Sequence, residues 1–203
     1  MIIGGWNPQP SGRKDQHTDM KVFLTGVSCV GKTTIGRELA ALIGCPFLDL
    51  DKEIEKFFGK PLGRLQAACL TMPTFRKKVC EVLKHLLAQD FSKDCVIALP
   101  PSGLMDYHYQ VVKRAGGTVV VLTDDPRNIL ARITFYDADS RPVKKSLTED
   151  EKRHYLKEIK GDIAYFGRTY RRADVAVDIS GLGPVESAAK ARDAIMARCR
   201  SQP

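Results

Sequence analysis

Gly26-Val27-Ser28-Cys29-Val30-Gly31-Lys32-Thr33 satisfies G-x-x-x-x-G-K-[ST] at every fixed position. The chemistry explains the spacing. Glycines at both ends let the backbone curl until successive N–H groups face inward around an anion. A lysine beside the second glycine brings a point charge to the terminal phosphates of a nucleotide, and the hydroxyl that follows is a hard oxygen ligand for Mg²⁺. The pattern therefore implies ATP and Mg²⁺ as cofactors. Gly26, Ser28, Cys29, Val30, Gly31, Lys32, Thr33 and Thr34 are the candidates for cradling phosphate. Lys32 is also a catalytic candidate and Thr33 a metal ligand. Cys29 is read first as a small residue that fits the loop, and second as a thiol activated by the helix that follows.

Such a loop needs a strand before it and a helix after it. Residues 21–25, Lys-Val-Phe-Leu-Thr, read as a buried strand, and 34–43 read as a helix with Ile35, Leu39 and Leu42 at helical spacing, closed by Gly44. Further strands are expected at 46–50, 95–99, 117–123 and 175–179. Helices are expected at 52–58, 76–89, 105–115, 126–135, 149–172 and 184–200, with Gly161 and Gly167 weakening the penultimate one. Short apolar strands alternating with helices imply an α/β fold: a five-stranded parallel sheet covered on both faces. Residues 136–148 read as a polar loop able to act as a lid.

Asp49 and Asp51 close the second strand and lead into Ile54, Glu55 and Gly59. Two residues apart in a continuing strand, the carboxylates share a face; the plainer account is that they punctuate a strand-to-helix turn, with Asp51 capping. This D-x-D-x-x-I-E-x-x-x-G segment, together with the phosphate loop, resembles the shikimate kinase family of small P-loop kinases. The likeness runs from about Met20 to Ile195. It implies transfer of the γ-phosphate of ATP to a hydroxyl of shikimate. By that resemblance Asp49 supports the Mg²⁺ shell, and Asp51 holds the acceptor hydroxyl and takes its proton. Arg76, in the Phe75-Arg76 pair, grips the acceptor carboxylate with its planar fork. Arg141, in Arg141-Pro142-Val143, closes over the phosphates as a catalytic lid residue. Arg132 stacks on the adenine, and the turn 180–184, ending at Pro184, covers its other face.

The acceptor side departs from the family pattern. A glycine run after the third strand is replaced by Pro100-Pro101-Ser102 before Gly103, and proline has no N–H to donate. Thr71-Met72-Pro73-Thr74 lacks the family's acidic residue. The carboxylate expected three residues after Arg76 falls on Val79, with Glu81 nearby, which leaves Arg76 without its usual partner. The second substrate arginine aligns near Tyr165 or Phe166, and Arg168, one turn away, is the substitute. Ser102, Gly103, Arg76, Arg168 and Asp51 are thus the acceptor-binding candidates. Three readings stay open: a shikimate kinase; a P-loop kinase for another small acceptor, a sugar acid or a nucleotide, with Arg64 among the arginines that would hold the latter; and a non-catalytic module binding ATP or nucleic acid.

Composition narrows these. The chain has 203 residues, 43% hydrophobic and 28% charged, as expected for one soluble globular domain. No apolar run reaches the roughly 20 residues of a membrane span, and no membrane partner is expected. The net charge is +8, with most of the excess between Arg127 and Arg172. This suits an anionic small molecule; no basic run interleaved with aromatics indicates nucleic acid. The six cysteines form no C-x-x-C pair and, with no signal peptide visible, are expected as free thiols in a cytoplasmic protein. Residues 1–19, rich in Gly and Pro, read as a flexible extension, with residues 20–200 as a single kinase domain, expected to be a monomer.

Overall fold

The computed structural model describes residues 20–201. The expected extension at 1–19 lies outside them. Five strands form one parallel sheet: β1 (Lys21–Thr25), β2 (Phe47–Asp49), β3 (Cys95–Ala98), β4 (Thr118–Thr123) and, after a two-stranded hairpin, β7 (Val175–Asp178). Their spatial order is β2-β3-β1-β4-β7. β1 is central, pairing Phe23 with Ile97 on one side and Val119 on the other. The loop that follows β1 therefore emerges at the carboxyl edge near mid-sheet, where open α/β sheets bind ligands.

Alternation along β1 builds both halves of the core. Val22 and Leu24 join Ile35, Leu39, Val120, Leu122, Ala188 and Ile195 in one cluster, beneath α1 (Lys32–Ile43) and α8 (Pro184–Ser201). Phe23 points to the other face and joins Leu83, Ile97, Leu104 and Val112, beneath α4 (Met72–Leu87) and α5 (Asp106–Ala115). Strands buried on both faces read as continuous apolar runs, which is why they were legible.

Between β2 and β3 the chain adds α2 (Leu50–Phe58), the short α3 (Leu62–Ala67) and α4. After β4 come α6 (Pro126–Ala131), the hairpin β5 (Phe135–Tyr136) with β6 (Pro142–Val143), and α7 (Glu149–Tyr170). Three expectations need correction. α3 was not foreseen, because six residues carry no measurable periodicity. The helix expected over 126–135 ends at Ala131, and Phe135 enters the hairpin instead. The sheet-facing pair Asp49 and Asp51 does not share a strand: the strand stops at Asp49, which is the N-cap of α2 and accepts a hydrogen bond from the Asp51 backbone at 3.2 Å. Conversely, α7 runs unbroken through Gly161 and Gly167. Its start is fixed by a reciprocal capping box between Thr148 and Glu151, a device whose loss costs about 1 kcal/mol.

Candidate active site

The loop from Gly26 to Thr33 is anchored from beneath. Val27 and Val30, the apolar positions of the motif, are buried in the core against β1 and α1. Gly26 has φ of +144°, and a Cβ there would sit 2.7 Å from the carbonyl oxygen of Leu122. Glycine at this position thus answers both a backbone conformation closed to other residues and a neighbouring strand at contact distance. Gly31, with φ of +112°, and Cys29, with φ of +59°, complete the reversals that curl the chain.

Lys32 and Thr33 open α1 and face the ends of β2 and β3. The Lys32 ammonium donates to the carbonyls of Gly26 and Val27, both at 2.9 Å, bracing the loop from inside. Burial lowers its pKa to about 8; Asp51, Cys29 and Asp49 oppose that fall. The Thr33 hydroxyl donates to Asp49 Oδ2 at 2.6 Å. Asp49 is held from both sides, by this hydroxyl and by the amide of Asp51. Asp51, one helical step in, is raised to about 6 by burial and by the Asp49 carboxylate, with Lys32 pulling the other way. Two acids on one ledge, one held by the Thr33 hydroxyl and one shifted toward neutrality, can divide the tasks of holding a cation and accepting a proton.

These residues line a cleft of about 500 Å³ together with Leu99, Pro101, Arg132, Thr134 and Tyr136. Arg132, at the carboxyl end of α6, is tied to Asp124, whose carboxylate is 1% exposed. Burial pushes Asp124 up, but hydrogen bonds from Asn128, Arg132 and the Asp125 amide hold it below the usual carboxylate range. Asp124 fixes the arginine in place, a role with no local signal in the sequence.

A divalent cation has a suitable donor set here. A hydroxyl and a carboxylate are the hard oxygens Mg²⁺ prefers, and Mg²⁺ keeps several waters rather than seeking a full protein cage. Among the described residues no three of His, Cys, Asp and Glu gather into such a cage. Thr33 and Asp49 would hold the ion and leave its other positions to phosphate and water.

Other expected site residues stand outside the cleft lining. Ser102 and Gly103 belong to a tight turn: the Gly103 amide donates to Pro100 at 2.8 Å, and its α-carbon packs so closely on Leu99 that a Cβ would lie 2.6 Å away. Gly103 therefore serves packing, and its N–H is not free for an acceptor. Arg168 lies exposed on α7, and Pro184 opens α8. Arg76 faces a neighbouring concavity and pairs with Asp106 at 3.2 Å, so it does have a carboxylate partner, supplied by α5 rather than by its own helix. Arg141 is exposed on the hairpin beyond Tyr136.

The hairpin tip is fastened to the opposite wall. Glu55 on α2 accepts from the Leu62 amide at 2.7 Å and from the Ser140 hydroxyl, while Arg64 on α3 meets Asp139 at 2.6 Å. The hairpin thereby bridges over the cleft toward α2 and α3.

Sheet order, central loop and bridging hairpin define the class as a P-loop kinase fold. Solved structures agree. A shikimate kinase from Acinetobacter baumannii in complex with shikimate superposes with a TM-score of 0.70 at 26% identity, covering 89% of this chain and 94% of that one. A gluconokinase from Sinorhizobium meliloti, 17% identical, shares the fold with a TM-score of 0.54 over 91% of this chain and 99% of that one. The family model for shikimate kinase matches residues 28–189. The shikimate kinase of Thermus thermophilus is 31% identical over 79% of this chain and 81% of that protein. The shikimate kinase of Chlorobium limicola is 36% identical over 61% of this chain, a match that spans about six tenths (59%) of that protein's length. The chain belongs to the shikimate kinase family.

Proposed function

We propose that this protein transfers the γ-phosphoryl group of ATP to a hydroxyl of shikimate, giving ADP and shikimate 3-phosphate. The observation that carries the reading is the gathering of Lys32, Thr33, Asp49 and Asp51 at one cleft in a member of this family. The loop amides and Lys32 bind the β- and γ-phosphates; Ser28 and Thr34 flank them. Mg²⁺ on Thr33 and Asp49 supplies neutralisation of phosphate charge. Asp51 aligns the acceptor hydroxyl and takes its proton as the new P–O bond forms. Arg132 stands by the base, with the turn ending at Pro184 on its far side. Arg141 reaches the phosphates when the lid, about 136–148, moves inward. Residues 20–200 act as one cytoplasmic, monomeric domain.

The test is ADP release from Mg·ATP with and without shikimate. Shikimate-dependent ADP supports the reading. ATP binding with ADP release indifferent to shikimate removes shikimate as acceptor and leaves a second reading, a kinase for another small hydroxylated acceptor. That second reading has its own support in Pro101, which lines the cleft where a backbone N–H would be needed.

Two expectations follow from the charges. Asp51 must be ionised to accept a proton, and its pKa is about 6; Lys32 must be protonated, and its pKa is about 8. kcat/KM for the acceptor is therefore expected to rise with pH through about 6, and kcat/KM for ATP to fall above about 8, where Lys32 of the nucleotide-free protein loses its proton. A profile flat from pH 5 to 7 would exclude Asp51 as the base.

The second concerns the lid. Glu55→Ala removes the acceptor of both the Leu62 amide and the Ser140 hydroxyl. We expect faster tryptic cleavage at Lys144 and a roughly ten-fold lower kcat/KM, with the core unaffected. Unchanged cleavage together with unchanged kcat/KM would show that the fastening plays no part in closure.

A further inference from the structure

Arg76 lies on the second turn of α4, with its side chain only 15% exposed. Its Nη1 donates to Asp106 Oδ2 at 3.2 Å, and its Nε–H is buried with no hydrogen-bond partner. His108, two residues beyond Asp106, is 1% exposed, and neither ring nitrogen has a partner. Burial first, then the charge of Arg76, keeps that imidazole neutral, with its pKa lowered to about 4. His108 therefore adds no counter-charge. Asp106 itself sits at the first position of α5 with φ of +45°, a left-handed conformation that few residues other than Gly, Asn and Asp tolerate.

Three features make this pair exchangeable. The contact is single-ended, one nitrogen to one oxygen, where a fork-to-fork carboxylate would make two bonds. Asp106 is 54% exposed on its side chain, so it can turn into water with little loss. The guanidinium has an unused donor that an incoming carboxylate would satisfy. In the turn after β3, Pro100 and Pro101 lack an N–H and the Gly103 amide is already bonded to Pro100, so none of these three offers a backbone donor to a carboxylate.

We propose that Asp106 is an internal rival for Arg76: its carboxylate occupies the guanidinium that the acceptor's carboxylate needs, and so sets how tightly the site takes a charged acceptor. This rests on Arg76 being the arginine that meets the acceptor. Asp106 is a specificity-determining residue and takes no part in phosphoryl transfer.

The experiment compares wild type with Asp106→Asn, Asp106→Gly and Asp106→Glu. Asn and Gly both accept the positive φ; Glu keeps the charge. Shikimate and its neutral methyl ester are each titrated calorimetrically and assayed for ADP release. The expected result is that the Asn and Gly variants bind shikimate about five-fold more tightly and lower its KM by the same factor, with kcat kept within two-fold, with no change for the ester and no gain for the Glu variant. An unchanged or raised KM for shikimate, with turnover intact, overturns the rivalry and leaves the acceptor assignment standing. Tighter shikimate binding by the Asn variant without any shikimate-dependent ADP supports the rivalry and removes shikimate as the phosphorylated acceptor. Shikimate neither bound nor turned over by any of the four proteins overturns both.

Discussion

Lys32→Ala is expected to lower ADP release by about a thousand-fold or more, equivalent to roughly 4 kcal/mol of transition-state stabilisation. The size follows from where the ammonium sits. It is desolvated beneath the loop and held by two carbonyls at 2.9 Å, so it is fixed at the cleft before phosphate arrives. The same lysine neutralises the ledge of Asp49 and Asp51. Its removal is expected to drive the Asp51 carboxyl further up, since one of the influences pulling it down is then gone. Turnover should therefore stay low even at pH values where wild type is fully active. The core beneath depends on Val27, Val30 and Ile35, not on Lys32; thermal unfolding should shift by only a few degrees. Near-normal turnover in this variant would sink the phosphate-loop assignment outright.

The fold was legible because its signals are local. β1, β3 and β4 are apolar runs of four to six residues, buried on both faces. Helices α1, α4 and α8 carry the stripes or caps that periodicity detects. The errors lie where local signals conflict with packing. Asp51 reads as a strand residue because Phe47, Leu48 and Leu50 precede it. The Asp49 side chain nevertheless accepts the Asp51 amide, which ends the strand at Asp49 and starts α2 in one step. The 126–135 segment has enough apolar residues for ten helical positions, yet Phe135 is drawn away to pack on Tyr155 at 5.4 Å between ring centroids. Tertiary contact overrode a fair helical pattern there.

The site was legible on its nucleotide half for a similar reason. Lys32, Thr33 and the loop glycines are consecutive, so one motif contains their geometry. The acceptor-side candidates are spread over α2, α4 and the turn after β3, and no single stretch of sequence holds the distances between them. Pro100-Pro101 could be recognised as a departure, but not what replaced it. That Asp106 would meet Arg76 across thirty residues had no local signal beyond an acid at a helix start, where one is common. Asp124 and Glu55 are of the same kind. Each acts on a site residue or the lid through side-chain contacts that only the folded chain creates.

Asp51→Asn is expected to spare ATP binding and to lower acceptor phosphorylation by about a hundred- to ten-thousand-fold, the range for loss of a positioned general base. The substitution is nearly isosteric. The Asp51 backbone amide that satisfies Asp49 is untouched, so α2 keeps its cap and Thr33 keeps its partner at 2.6 Å. What is lost is the ability to take a proton from the acceptor hydroxyl. Three readouts separate that loss from a structural one. The nucleotide dissociation constant should stay within about three-fold of wild type. The acid limb expected near 6 should disappear from the residual rate, because the carboxyl raised to about 6 is gone. Slow acceptor-independent ATP hydrolysis should survive, since Lys32, Thr33 and Asp49 are all in place. An Asn variant with wild-type rate would remove Asp51 from the chemistry. One that retained the acid limb at a reduced rate would move the titrating role to another carboxyl and leave Asp51 a positioning role only.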